Sequence, residues 1–163
     1  MKHINSISII KFIHSNTNGI RNERGGLIMA EKYREIVINR EHGGFGLSPK
    51  AAARYYKRKG AKVKLYHDST RISLKEADEL HRKGEIILFK VTYPGKKEVT
   101  YVDHDHIDRD DPDLVAVVKA LGSAKASDCL ASLKIVKVPI DVDWEVQEYD
   151  GMEWVAERHR TWG

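Results

Sequence analysis

The sequence predicts an α+β domain: a single mixed β-sheet with packed helices in the order βαβαββαββα. Three observations carry that expectation. Runs rich in β-branched residues alternate with amphipathic stretches, the amphipathic stretches open on Ser or Asp caps and mostly stop at Gly, and no internal repeat or low-complexity tract interrupts them. At 163 residues, 41% hydrophobic and 32% charged, the chain can bury one core and is too short to expect two.

The elements follow in order. "REIVIN", residues 34–39, is a short β-branched strand. Ser48 before Pro49 reads as an N-cap with Pro at the first helical position, and Gly60 as the stop of that helix. "AKVKLYH", 61–67, alternates Val63 and Leu65 against lysines as a half-buried strand does. Ser73 and Glu76 form a capping box for "LKEADELHRK", which ends at Gly84. "EIILFKVTY" and "KKEVTYV" flank Pro94-Gly95 as the two arms of a hairpin. Asp111 before Pro112 opens a further helix, in which Leu114, Val115, Val117, Val118 and Leu121 share one buried face; Gly122 closes it and a "SAKASD" loop follows. "SLKIVKVPI" is apolar almost throughout, as a central strand would be, and "VDWEVQEY" sends Val142, Trp144 and Val146 inward. Asp150 with Glu153 reads as the capping box of a last helix running through Trp162.

Residues 1–28 do not match this pattern. They mix Asn, Ser and Ile without a period, and the apolar run over residues 7–13 is broken by Ser8 and Lys11, too short for a membrane span and poor as a secretory core. Arg24-Gly25-Gly26 can be encoded as a ribosome-binding sequence just ahead of Met29, so the expectation is a non-native or disordered leader over 1–28 and one globular domain over 29–163. The leader holds Lys2, Lys11, Arg21 and Arg24 against Glu23, so a chain starting at Met29 falls from a net charge of +4 to +1. General nucleic-acid binding is therefore not expected, and nor is a membrane partner. The distribution of charge is more informative than its sum: residues 39–64 carry eight Lys or Arg against Glu41 alone, whereas 98–163 carry seven basic and fifteen acidic residues. A lone cysteine, Cys129, excludes an internal disulfide framework and fits a reducing, cytoplasmic compartment.

Asn39, Gly43-Gly44-Phe45-Gly46-Leu47-Ser48, Arg109-Asp110-Asp111-Pro112-Asp113-Leu114, Tyr149-Asp150-Gly151 and the closing His159-Arg160-Thr161-Trp162 occur in that order. As a set they resemble a group of small, largely uncharacterised bacteriophage and prophage proteins sharing a GGFGLS loop and a C-terminal HRTW. The resemblance covers most of residues 34–162 and brings no established catalytic or binding residues. It implies expression in the host cytoplasm as an accessory or anti-defence gene. Glu41-His42 stands where the group would have a Cys-Tyr pair, so a thiol there is not essential.

Three stretches carry chemistry. In "HGGFGLSPKAAARYYKRKG", 42–60, a helix start offers unpaired N–H groups and partial positive charge, and glycines let a phosphate approach the backbone. Neither the dinucleotide fingerprint nor a P-loop is present, and a plain turn before a solvated basic helix is the competing reading. "DHDHIDRDD", 103–111, continued as a strand would place His104 and His106 on one face and Asp103 and Asp105 on the other, so that two His with a carboxylate could bind a divalent ion, or it is simply an acidic lead-in to a helix. At the chain end Arg158, His159 and Arg160 could close over the anion of the glycine loop.

The expectation is a non-enzymatic, phage-type protein binding a small anionic ligand such as a nucleotide. Its site would comprise Arg40, Gly43, Gly44, Phe45, Gly46, Ser48, Arg54, Arg158, His159 and Arg160, with no catalytic residue, metal ligand or cofactor. One alternative is a metal-dependent hydrolase or nuclease at the DHDHID segment. Another is a protein that inhibits a host factor by docking its surface, without a small ligand.

Overall fold

The computed structural model describes residues 20–21, 27–28, 32–101 and 103–159. The chain divides into two compact units, Met1–Lys32 and Tyr33–Gly163. In the first, β1 (Ile20–Arg21) and β2 (Leu27–Ile28) pair antiparallel; most of the expected leader lies outside the described residues.

The second unit is built around β3 (Tyr33–Asn39), which is buried on both faces. Val37 faces a large core shared with the helices, while Ile36 and Ile38 face a smaller one. The helix α1 (Pro49–Arg58) starts where Ser48 accepts the Ala51 N–H on its side chain, and buries Ala51, Ala52, Tyr55 and Tyr56. The strands β4 (Lys62–His67) and β5 (Thr70–Ile72) form a tight hairpin through Asp68 and Ser69, both at positive φ. The helix α2 (Leu74–His81) is capped by Ser73, whose hydroxyl accepts the Glu76 N–H. Next come β6 (Leu88–Thr92) and β7 (Val99–Tyr101), on either side of Pro94-Gly95.

The helix α3 (Pro112–Leu121) is capped by Asp111 and packs Leu114, Val115, Val117 and Val118 into the large core. Gly122 ends it, but a single turn, α4 (Ser123–Ala126), forms where a loop was expected. The strand β8 (Leu133–Pro139) pairs antiparallel with β3, Ile36 opposite Val136. The strand β9 (Trp144–Tyr149) brings Trp144 and Val146, with Val142 ahead of it, against Ile36, Ile38 and Val138.

The α+β class is what the structure shows, but the single mixed sheet is not. The described strands form a four-stranded sheet in the order β5-β4-β6-β7 and separate two-stranded pairs, all antiparallel. Short loops make hairpins of β4–β5, β6–β7 and β9–β10, whereas β3–β8 and β4–β6 pair antiparallel strands that are not neighbours in sequence. The last element is also corrected: the expected helix from 150 is β10 (Met152–Glu157), paired with β9 so that Met152 faces Tyr149. Asp150 at φ 50° and Gly151 at φ 82° form the two-residue turn that Asp-Gly favours between strands. Glu153 does not cap a helix; it points inward and is 5% exposed.

The buried Glu153 carboxylate accepts the Asn39 backbone N–H at 2.8 Å and the Arg109 guanidinium at 2.9 Å. Removing one partner from a buried pair leaves the other charge uncompensated, so Glu153→Ala is expected to lower stability by about 3–5 kcal/mol in urea denaturation. A loss under about 1 kcal/mol would show that the carboxylate holds nothing. Ser48→Ala is expected to cost about 1 kcal/mol in the same assay; an unchanged midpoint would mean that α1 is not fixed by this cap.

Candidate functional site

The glycine loop spends its backbone on the protein itself. Leu47 N–H donates to His104 Nδ1, Ser48 N–H to Ala126 O, and Gly46 O accepts the Asp128 N–H. Ala51 and Ala52 N–H donate to the Ser48 side chain and carbonyl. Gly43 and Gly44 lie under the hairpin turn, where a Cβ on Gly151 would collide with their nitrogens. A Cβ on Gly46 would meet that of Asp128 at 2.5 Å. These glycines permit close passage of one chain over another.

Of the ten expected ligand residues, the nine that are described are not brought together. Phe45 is a core plug, 5% exposed, with the Arg109 guanidinium 3.5 Å above its ring centroid. Arg40 is exposed and lines a separate hollow of about 450 Å³ with Lys119, Ser132 and Lys134. Arg54 is exposed on α1. Arg158 sits at the end of β10 away from Gly151, a strand run of roughly 20 Å at about 3.3 Å per residue. Its guanidinium faces Glu145 at 3.5 Å and Asp143 at 3.9 Å. His159 is exposed, and Arg160 lies outside the described residues.

The DHDHID imidazoles go to different surroundings. His104 is 2% exposed and meets Phe89 edge-on, whereas His106 stacks on Tyr101 at 4.0 Å and its Nε2 lies 3.2 Å from the Tyr56 hydroxyl. Among the described residues, no three metal-capable donors converge in this segment. The following acids turn back onto the basic helix: Asp111 and Asp113 bind Lys59, and Asp113 binds Arg58. The charge polarity of the sequence is thus partly cancelled in space.

What converges instead is a cleft of about 460 Å³ between the start of α1, the end of α2 and the segment after α4. Ser48, Lys50, Arg82 and Lys125 line it together with Asp78, His81, Asp128 and Cys129. Ser48 Oγ donates to Lys125 O, fixing one wall, and Leu47 bridges to Ser127 to fix another. His81 Nε2 lies 2.9 Å from Asp128 Oδ1. Burial alone would raise the Asp128 carboxyl, but the His81 and Cys129 hydrogen bonds outweigh it and hold the pKa at about 2. Asp128 in turn pushes the Cys129 thiol up, which disfavours a free thiolate nucleophile. Of this cleft the sequence offered only Ser48 as a ligand residue. His81 closes a helix 47 positions from Asp128, and only the signal of a histidine at the last turn of a capped helix could have drawn notice.

His104 gives a pH prediction. Desolvation lowers its pKa from the ordinary 6.5 to about 4, and its buried Nε2 has no hydrogen-bond partner among the described residues. Between those values the unfolded chain binds a proton that the folded chain refuses. This contribution to stability is complete above pH 6.5 and is lost as pH falls towards 4, by up to about 3 kcal/mol. Urea melts from pH 7.5 to 4.5 are expected to show that slope, and His104→Gln to flatten it; equal slopes would contradict the assignment.

Among the described residues no helix is long and apolar enough to cross a membrane. Comparison of the chain with protein-family models, with curated proteins and with solved structures returned no match.

Proposed function

We propose that the protein is a phage-type accessory protein, acting in the host cytoplasm, that binds a small anionic ligand of the nucleotide class in the cleft beside α1. The observation that supports this reading is the convergence of Lys50, Arg82 and Lys125 on one concave surface of about 460 Å³. Three cations from separate stretches of the chain match a phosphate's demand for charge-assisted donors, while the Ser48 and Ser127 hydroxyls, which donate to Lys125 O and Ser123 O, hold the walls in place. The lining also holds the Asp78 and Asp128 carboxylates, the second engaged by the His81 hydrogen bond, so cations outnumber carboxylates three to two. The glycine loop shapes this cleft from behind and does not wrap the ligand. Sequestering a signalling nucleotide is one use that an anti-defence protein would have for such a site, and it needs no chemistry on the ligand.

The test is a thermal-shift panel of mono-, di- and cyclic nucleotides in EDTA. A ligand at 100 times its dissociation constant stabilises by about 2.7 kcal/mol. At least one nucleotide is expected to raise the melting temperature, and Arg82→Ala combined with Lys125→Ala to abolish the rise. No shift with any nucleotide would overturn the proposal and favour docking on a host protein instead.

A further inference from the structure

Lining the same cleft, the donor atoms of His81, Asp128 and Cys129 all lie within 4.8 Å of one another. An imidazole, a carboxylate and a thiol are the donor types that zinc and its neighbours among the first-row divalent ions take. Around a tetrahedral ion with bonds of about 2.0–2.3 Å, such donors stand roughly 3.3–3.7 Å apart. The three groups are therefore already gathered to within a small side-chain adjustment of that geometry. The His81–Asp128 separation of 2.9 Å must open, and no separation in the group exceeds 4.8 Å.

We propose that His81, Asp128 and Cys129 form a three-ligand site for a zinc-class divalent cation, with its fourth position open to the cleft.

The surroundings fit this role in three ways. First, the ligands stand on fixed backbone: the Asp128 N–H donates to Gly46 O, the Ala131 N–H donates to Asp128 O, and His81 ends a helix that Ser73 caps. Second, the side of the cluster towards protein is covered, with the His81 side chain 13% exposed, while Cys129 is exposed and gives an ion its entry path. Third, the charges balance. A divalent ion bound by one thiolate and one carboxylate is neutral, so the Lys50, Arg82 and Lys125 rim does not oppose it once the ligands are in place. In the reaction the cation displaces the thiol proton to solvent and the sulfur keeps the electron pair and donates it to the metal, while the proton that His81 Nε2 shares with Asp128 passes through solvent to Nδ1, so that the Nε2 lone pair takes the metal and one proton is released in all.

This site stands without the nucleotide reading, because it needs no anion. The nucleotide test in EDTA needs no metal. Either can fail alone.

The experiment is a Co²⁺ titration of the untagged full-length protein, followed by Zn²⁺ competition. Cys129 is the one cysteine of the chain. A thiolate-to-cobalt charge-transfer band can therefore come from that residue alone. The expected result is such a band with the strong visible bands of a tetrahedral ion, saturating at one ion per chain, with release of about one proton per ion at pH 7.5 and bleaching by one equivalent of Zn²⁺. Loss of the band is expected in Cys129→Ser, and a loss of affinity of at least tenfold in His81→Ala and in Asp128→Asn, each checked for an unchanged far-ultraviolet dichroism spectrum. Absence of the charge-transfer band overturns the proposal. So does a band of unchanged affinity in both His81→Ala and Asp128→Asn, which would mark a thiol adduct only, or saturation at one ion per two chains, which would mark an ion bridging two exposed cysteines.

Discussion

The fold of the second unit depends on one buried carboxylate. Glu153 accepts the Asn39 N–H and the Arg109 guanidinium, joining a central strand, the segment before α3 and the last hairpin across more than a hundred residues of sequence. Asn39 extends the junction: its amide donates to Glu41 O and Gly151 O, and its carbonyl accepts the Ser132 N–H. A buried ion pair adds little net stability over apolar residues of the same volume, but its loss on one side is costly. Its main effect is therefore on the choice of arrangement. A one-residue slip of β10 against β9 would turn Glu153 outward and strand the guanidinium, so the hairpin has one register. Arg109 also lies over Phe45, and so the same pair holds the glycine loop down on the core.

Much of the fold was legible because its signals are local. Ser48, Ser73 and Asp111 each cap the helix that the sequence assigns to them, and Pro94-Gly95 divides a hairpin. The inward set Val142, Trp144 and Val146 packs where alternation placed it. The error over 150–157 came from two local signals that share residues. An acid followed three positions later by Glu is a capping pattern, but Asp-Gly between alternating segments is a turn pattern, and β9 could pair only if the second prevailed. Grouping the strands into one sheet failed for a different reason. Which strands become neighbours is decided by long-range burial, and β3 is covered on both faces, by helices on one and by a hairpin on the other, a layering that no window of sequence displays.

The site was less legible than the fold. Charge blocks in the sequence suggested a basic half and an acidic half, yet Lys59 and Arg58 are spent on Asp111 and Asp113, and Lys119 on Glu35. Pairing of this kind draws on cations and anions far apart in sequence, so the blocks predict each other's neighbours better than they predict a ligand. The cations that remain on the cleft, Lys50, Arg82 and Lys125, come from three different elements and form no block. His81 and Cys129 were unremarkable for the same reason: a histidine at the end of one helix and a cysteine in a distant loop acquire meaning only when the chain between them closes.

The glycine loop nonetheless belongs to the cleft, at one remove. Several of its contacts act on the wall that carries Asp128 and Cys129. Gly46 lacks the Cβ that would strike Asp128, its carbonyl takes the Asp128 N–H, Leu47 bridges to Ser127, and Ser48 holds both α1 and the carbonyl of Lys125. A side chain at position 46 would displace Asp128 without altering any cleft group chemically. The paired glycines 43 and 44 do the corresponding work under Gly151, where the hairpin must pass close. A loop with this composition looks like a phosphate cradle because both tasks need the same property, a backbone that another group can approach within contact distance. Here the approaching group is the protein's own chain, and the cleft opens beyond it.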